Sequence, residues 1–293
     1  GGYNLNDVWS SVDGVNWVEV TATADWSARY EHASLVYDNK IYVMGGYDAS
    51  SYFNDVWSSS DGGLNWDLVA TAPWSVRIYH STVVYNNKIY IIGGFHSSNH
   101  NDVWSSSDGG INWVEVTGTA AFGTRRGHSS VVYEDKIYVI GGFVTERMND
   151  VWSSVDGGVN WVEVIATSPW GVRYLHTSVV YNNKMYIIAG DDWPNLYDDA
   201  WSSDDGGVTW VQVGTIGSAR AGARGVVFQN KILVSGGYEA SASVNDIWSF
   251  EVTLPSPPAI PIPSSTAEKG FGVAWMGVHV GLVGLAAFRF FGN

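Results

Sequence analysis

Short apolar runs recur along the chain in a fixed order. "HSTVVY" (His80–Tyr85) and "KIYIIGG" (Lys88–Gly94) are rich in β-branched and aromatic residues, and the turn pair Asn86-Asn87 separates them. "NDVWSSS" (Asn101–Ser107) and "NWVEV" (Asn112–Val116) follow, divided by Asp108-Gly109-Gly110. Nothing in the unit repeats at the 3.6-residue spacing of an amphipathic helix. The pattern predicts four short antiparallel strands joined by tight turns.

The unit returns along most of the chain. The Trp of each "D-x-W" stands at Trp9, Trp57, Trp104, Trp152, Trp201 and Trp248, in steps of 48, 47, 48, 49 and 47 residues. A small-residue pair keeps the same period: Gly1-Gly2, Gly45-Gly46, Gly93-Gly94, Gly141-Gly142, Ala189-Gly190 and Gly236-Gly237. Four strands per repeat near fifty residues describe the blades of a β-propeller. A blade cannot bury both faces alone, so a ring is required.

"R-x-x-H…VVY-x-x-KIYVIGG…NDVW…W" resembles the kelch repeat, and the resemblance covers residues 1–253. The "SSSDGGLNW" hairpin also resembles the Asp-box of sialidases. Ser203, Asp205, Gly207, Thr209 and Trp210 match that motif fully, while Asp13, Asp61, Asp108 and Asp156 head the variant copies. The expected fold is an all-β propeller of four-stranded antiparallel blades. The His/"KIY" strand pair occurs five times and the "DVW" strand six times. Six blades are expected, with five as the alternative. The Asp-boxes read as structural: Asp accepts turn N–H groups, glycines supply positive φ, and Trp fills the space between blades.

Composition narrows the function. A net charge of −14 sets the chain against nucleic acid. The absence of cysteine removes disulfides, thiolate metal sites, thiol nucleophiles and the Tyr–Cys cross-link of a galactose-oxidase-like enzyme. No N-glycosylation acceptor is present. Each unit places an arginine before its first strand: Arg29, Arg77, Arg125, Arg173 and Arg220. Four are followed by His32, His80, His128 and His176, and Trp26, Trp74, Phe122 and Trp170 precede them. By kelch resemblance this loop opens on one face near the central channel. It can bind an acidic peptide or a glycan there, or it can pack blade against blade. No catalytic set and no metal site can be read. The arginines stand one per blade, and the histidines sit on different blades. Asp191-Asp192 with Asp198-Asp199 reads as a solvated loop.

After Thr253 the composition changes. Residues 254–269 hold five prolines between Pro255 and Pro263 and read as a stiff spacer. Residues 270–290 follow, and Gly270–Phe288 has only His279 as a polar residue. As a helix of nineteen residues it would be ~28 Å long, close to the ~30 Å hydrocarbon core. Gly277 and Gly281, with Gly284 nearby, suit close packing against other membrane helices. His279 would hydrogen-bond a neighbouring helix or ligate a haem or chlorophyll. A GPI signal is the other membrane reading of this tail. The sequence therefore predicts a non-enzymatic scaffold without a cofactor of its own. It would be a single-pass membrane protein displaying its propeller on the extracytoplasmic or lumenal side. Its partners would be integral membrane proteins at the tail and a protein or glycan at the propeller face. A carbohydrate or acidic-ligand receptor and an enzyme with a site in the central channel are the competing readings.

Overall fold

The computed structural model describes residues 5–240, 242–250 and 285–287. Four sheets have the predicted four antiparallel strands in sequence order from the channel outward. Blade 1 comprises Ala33–Tyr37, Lys40–Met44, Asp55–Ser59 and Asp67–Thr71. Blades 2, 3 and 4 begin at Ser81–Tyr85, Ser129–Tyr133 and Thr177–Tyr181. Blade 5 has three described strands, Arg224–Phe228, Lys231–Ser235 and Ile247–Phe250.

The core lies between blades. The second strand of each blade is apolar on both sides, and its two-residue alternation divides it between neighbours. Ile89 and Ile91 join Tyr42, Met44 and Val56 of blade 1 in one cluster. Tyr90 and Ile92 face the other way, against Ile137 and Val139 of blade 3. The same exchange links blades 3 and 4 and blades 4 and 5. A fifth cluster packs Val8 of an N-terminal hairpin (Val8–Ser11, Val18–Thr21) on Ile41, Val43 and Trp66 of blade 1.

The expectation of six blades is corrected to five. Five sheets carry an innermost strand at the channel, matching the five His/"KIY" sequence copies. The N-terminal hairpin is the outer half of a further unit, and Leu285–Ala287 pairs beside it. The expected membrane helix over 270–290 is corrected at these three residues, which form a strand. The rest of that span lies outside the described residues, including Gly277, His279, Gly281 and Gly284. Among the described residues no helix is long and apolar enough to cross a membrane.

The repeated hairpin works through short-range hydrogen bonds. The Ser59 hydroxyl donates to Asp61 at 2.8 Å and accepts from the Gly63 N–H at 2.8 Å. Asp61 accepts from the backbone N–H of Asn65 at 3.0 Å and from its amide at 2.7 Å, and Trp66 Nε1 donates to the Gly63 carbonyl at 2.9 Å. The Asn65 N–H bond, with the Asn65 amide and the Ser59 hydroxyl, lowers the Asp61 pKa to about 2. Gly63 holds φ +98°, and a Cβ there would stand 2.8 Å from Val8 Cγ1, whereas Gly62 at φ +79° has open space.

Gly63→Ala combines left-handed strain with overpacking and is expected to cost about 2–4 kcal/mol, against about 1–2 kcal/mol for Gly62→Ala. Urea unfolding of both variants checks the order; equal losses would remove the close approach to Val8 as the cause.

Candidate functional site

The predicted binding arginines are buried inside the ring. Arg29, Arg77, Arg125, Arg173 and Arg220 are each 0–3 % exposed. Each reaches the aspartate of the following "D-x-W": Asp55, Asp102, Asp150, Asp199 and Asp246, at 2.5–2.9 Å. Each also donates to a carbonyl of the small-residue pair, as Arg77 does to Gly93 at 2.8 Å. The aspartate then accepts the indole N–H of the "D-x-W" Trp, as Asp102 does from Trp104 at 2.8 Å. Burial raises the Asp102 pKa, but the Arg77 hydrogen bonds and charge outweigh it and hold the carboxyl below its usual value. Trp26, Trp74 and Trp170 are 1–2 % exposed and meet Trp66, Trp113 and Trp210 edge-on at 5.9–6.0 Å. Phe122 meets Trp161 in the same way.

The histidines line the central channel, where the blade-to-blade joints differ. His128 Nε2 lies 2.8 Å from the Ser81 hydroxyl of the preceding blade, and His176 Nε2 lies 2.7 Å from Ser129. At the next joint Ala223 replaces histidine, and the Thr177 hydroxyl accepts the Gly225 N–H at 2.8 Å. At the first joint Ala33 stands where Ser81 and Ser129 stand, and His80 Nε2 has no hydrogen-bond partner. Burial, then the charge of the adjacent arginine, lowers the pKa of His80 and of His176 to about 3. The two hydroxyl–imidazole contacts tie each blade to the one before it. Among the described residues no group of three or more His, Cys, Asp or Glu is placed to hold a metal.

Above the histidines the channel opens into a mouth that the repeats do not make symmetrical. The residue after each strut arginine pairs with the residue after each small-residue pair. The five bridges are Tyr30–Tyr47, Ile78–Phe95, Arg126–Phe143, Tyr174–Asp191 and Ala221–Tyr238. One backbone slot therefore carries tyrosine, isoleucine, arginine and alanine in different blades. Arg126 lies 4.4 Å from the Phe95 centroid and 4.9 Å from that of Phe143. Its Nε is buried without an acceptor, and no carboxylate pairs with it among the described residues. The rings of Tyr79 and Tyr174 meet beside it at 5.7 Å. Burial is the first cause that pushes the Tyr79 hydroxyl up to about 12, with Glu31 adding to it. Asp191 is 2 % exposed and accepts from Arg147 at 2.7 Å and from the Tyr238 hydroxyl at 2.8 Å, joining blades 3, 4 and 5. Glu31 faces Arg224 at 3.4 Å across the ring.

Sequence reading by period found the arginines that repeat and passed over Arg126, the second arginine of "TRRGH". The available signal was a difference at a fixed slot of the repeat. A model described as the KLHDC2/KLHL20/DRC7 Kelch-repeats domain matches residues 1–142 and, in an overlapping match, 111–256. No curated protein matches the chain.

Ala33→Ser places a hydroxyl where blades 2 and 3 present one to the next histidine. The variant is expected to gain about 0.5–1.5 kcal/mol of stability. An unchanged denaturant midpoint would show that the first joint is built differently. A second outcome follows from the imidazoles. With folded pKa values near 3 for His80 and His176 and about 6.5 unfolded, the unfolded chain binds more protons between those values. Stability is therefore full above about pH 6.5 and falls as the pH drops towards 3. Unfolding measured from pH 7 to 5, above the carboxylate range, checks the slope; a flat profile would contradict neutral burial.

Proposed function

The chain belongs to the kelch-repeat family, and on that premise we propose that it is a non-enzymatic interaction propeller whose partner enters the channel mouth. Kelch propeller domains generally bind proteins. Arg126 would take a carboxylate of the partner, and Tyr79, Tyr174 and Phe143 would cover the apolar side chains next to it. The observation that carries this reading is the state of Arg126. Every other arginine among the described residues meets a carboxylate, whereas Arg126 is held between two rings at an asymmetric position. A guanidinium fixed by stacking loses little freedom when it binds, and aromatic residues with arginine are the usual energetic centre of an interface. The five strut arginines are buried and each bonds an aspartate and a backbone carbonyl inside the fold, and the three predicted tryptophans are buried, so the mouth is the better place for a ligand than the loop set read from sequence. A membrane tether would rest on the apolar run alone; its three described residues form a strand.

A peptide display library selected on the folded chain tests the reading. Selected peptides are expected to carry a carboxylate beside apolar residues. A hydrogen bond to a charged group contributes about 1.5–3 kcal/mol, so Arg126→Ala should weaken them roughly 10- to 100-fold. Asp61→Ala, in the repeated hairpin away from the mouth, should leave affinity unchanged. Equal binding by wild type and Arg126→Ala would end this assignment.

A further inference from the structure

The throat of the channel, beneath the mouth, is lined by uncharged hydrogen-bonding groups. The innermost strands of blades 1 to 4 each contribute one hydroxyl at the same place, Ser34, Thr82, Ser130 and Ser178, and the imidazoles stand beside them. These groups line a cavity of about 160 Å³. A cavity of about 150 Å³ is large enough for a six-membered ring.

Most of the lining satisfies itself. The Ser81 and Ser130 hydroxyls lie 2.6 Å apart, and Ser81 lies 2.8 Å from His128 Nε2. Ser129 closes on His176 in the same way at 2.7 Å. With Nε2 turned to a hydroxyl, the carbonyl of Ile92 or Ile140 stands on the other side of the ring and favours the proton there. Both rings are therefore Nδ1–H tautomers whose Nε2 accepts. His80 has the same setting, with Met44 supplying the carbonyl. It is 8 % exposed, and its Nε2 is unmatched because Ala33 stands where the donor hydroxyl belongs. Ser178 Oγ, on the innermost strand of blade 4, is also buried without a partner. An acceptor and a hydroxyl are thus both unmatched on the wall of one cavity.

Charge narrows the class of molecule that fits. Burial, then Arg77, keeps His80 neutral and disfavours a cation beside it. Arg224, the cation of the lining, already faces Glu31 at 3.4 Å, so an anion would compete with that carboxylate. Hydroxyl groups carry no charge and both donate and accept. We propose that the throat is a binding site for a small neutral polyol, of the size of a pentitol or a cyclitol, which donates one hydroxyl to His80 Nε2 and meets Ser178 with another. A buried acceptor left without a donor is costly, and the polyol removes that cost. This site goes beyond the interaction reading, which concerns a polypeptide at the mouth and rests on Arg126.

Xylitol and myo-inositol are the neutral probes, and inorganic phosphate is the charged one. Binding to the full chain is measured by calorimetry, because polyols also stabilise folded proteins by exclusion from their surface and stability alone would not report the site. Ala33→Ser supplies the donor hydroxyl from within the fold. The expected result is saturable binding of a neutral probe to the wild type, weakened about tenfold or more in Ala33→Ser. Asp61→Ala, in the repeated hairpin away from the mouth, should bind as the wild type does. Saturating probe should also move the ¹⁵N resonance of His80 Nε2, a readout that needs no variant. Absence of saturable binding would leave His80 to water and overturn the proposal. Equal affinities of wild type and Ala33→Ser would place the binding outside the throat. Tighter binding of phosphate than of either polyol would refute the neutral class, and an unmoved Nε2 resonance would refute the contact. None of these results bears on peptide affinity at Arg126, which is measured separately.

Discussion

The buried arginine–aspartate strut is the interaction on which the fold depends. In each blade one guanidinium ties the entry loop to a carbonyl of the small-residue pair and to the aspartate at the start of the third strand. The same aspartate fixes a tryptophan two residues later. A desolvated pair of this kind contributes modest net stability but is costly to break, because removing one partner strands the other, at about 3–5 kcal/mol. The strut therefore specifies one loop conformation and penalises the alternatives. The loop it fixes presents the next residue, the varying position at the channel mouth, at the same place in every blade. Rigidity from the repeated residue gives the unrepeated one a defined task.

Much of this architecture was legible in the sequence. The two-residue alternation of "KIYII" and the period of the "D-x-W" tryptophans correctly implied blades, strand order and the all-β class. The Asp-box residues read as turn-formers, and their hydrogen bonds are local, which is why a short motif could reveal them. Partners were harder to read. Arg77 and Asp102 are twenty-five residues apart, and nothing in composition says that one neutralises the other. Without that pairing, five arginines at equal spacing resemble an open cationic ring.

The other differences between sequence reading and structure have physical causes too. Blade number was inferred from six copies of the third strand, although the channel is built from innermost strands, and the described residues hold five of those. The tail was read by hydropathy, which measures apolar content alone; of that span the structure describes only Leu285–Ala287, which form a strand. The pairing of Leu285–Ala287 with Val8–Ser11 depends on an edge 274–278 residues away in sequence, beyond the reach of any local pattern. Arg126 was missed for the opposite reason, since attention to what recurs suppresses the single residue that departs.

The unequal joints around the channel have a kinetic consequence. A closed ring unravels only after one joint opens, so the barrier to unfolding is set by the weakest joint and not by the mean of all of them. The serine–histidine contacts of blades 2 to 4 and the threonine contact to Gly225 hold their neighbours independently of the joint beyond blade 5. Strengthening any of them would raise equilibrium stability while leaving the lifetime of the folded ring almost unchanged. That lifetime rests on the groups that cross from blade 5 to the N-terminal hairpin and to Glu31 in the loop before blade 1. A protein of this shape can be thermodynamically robust and still come apart on a clock kept by one narrow contact.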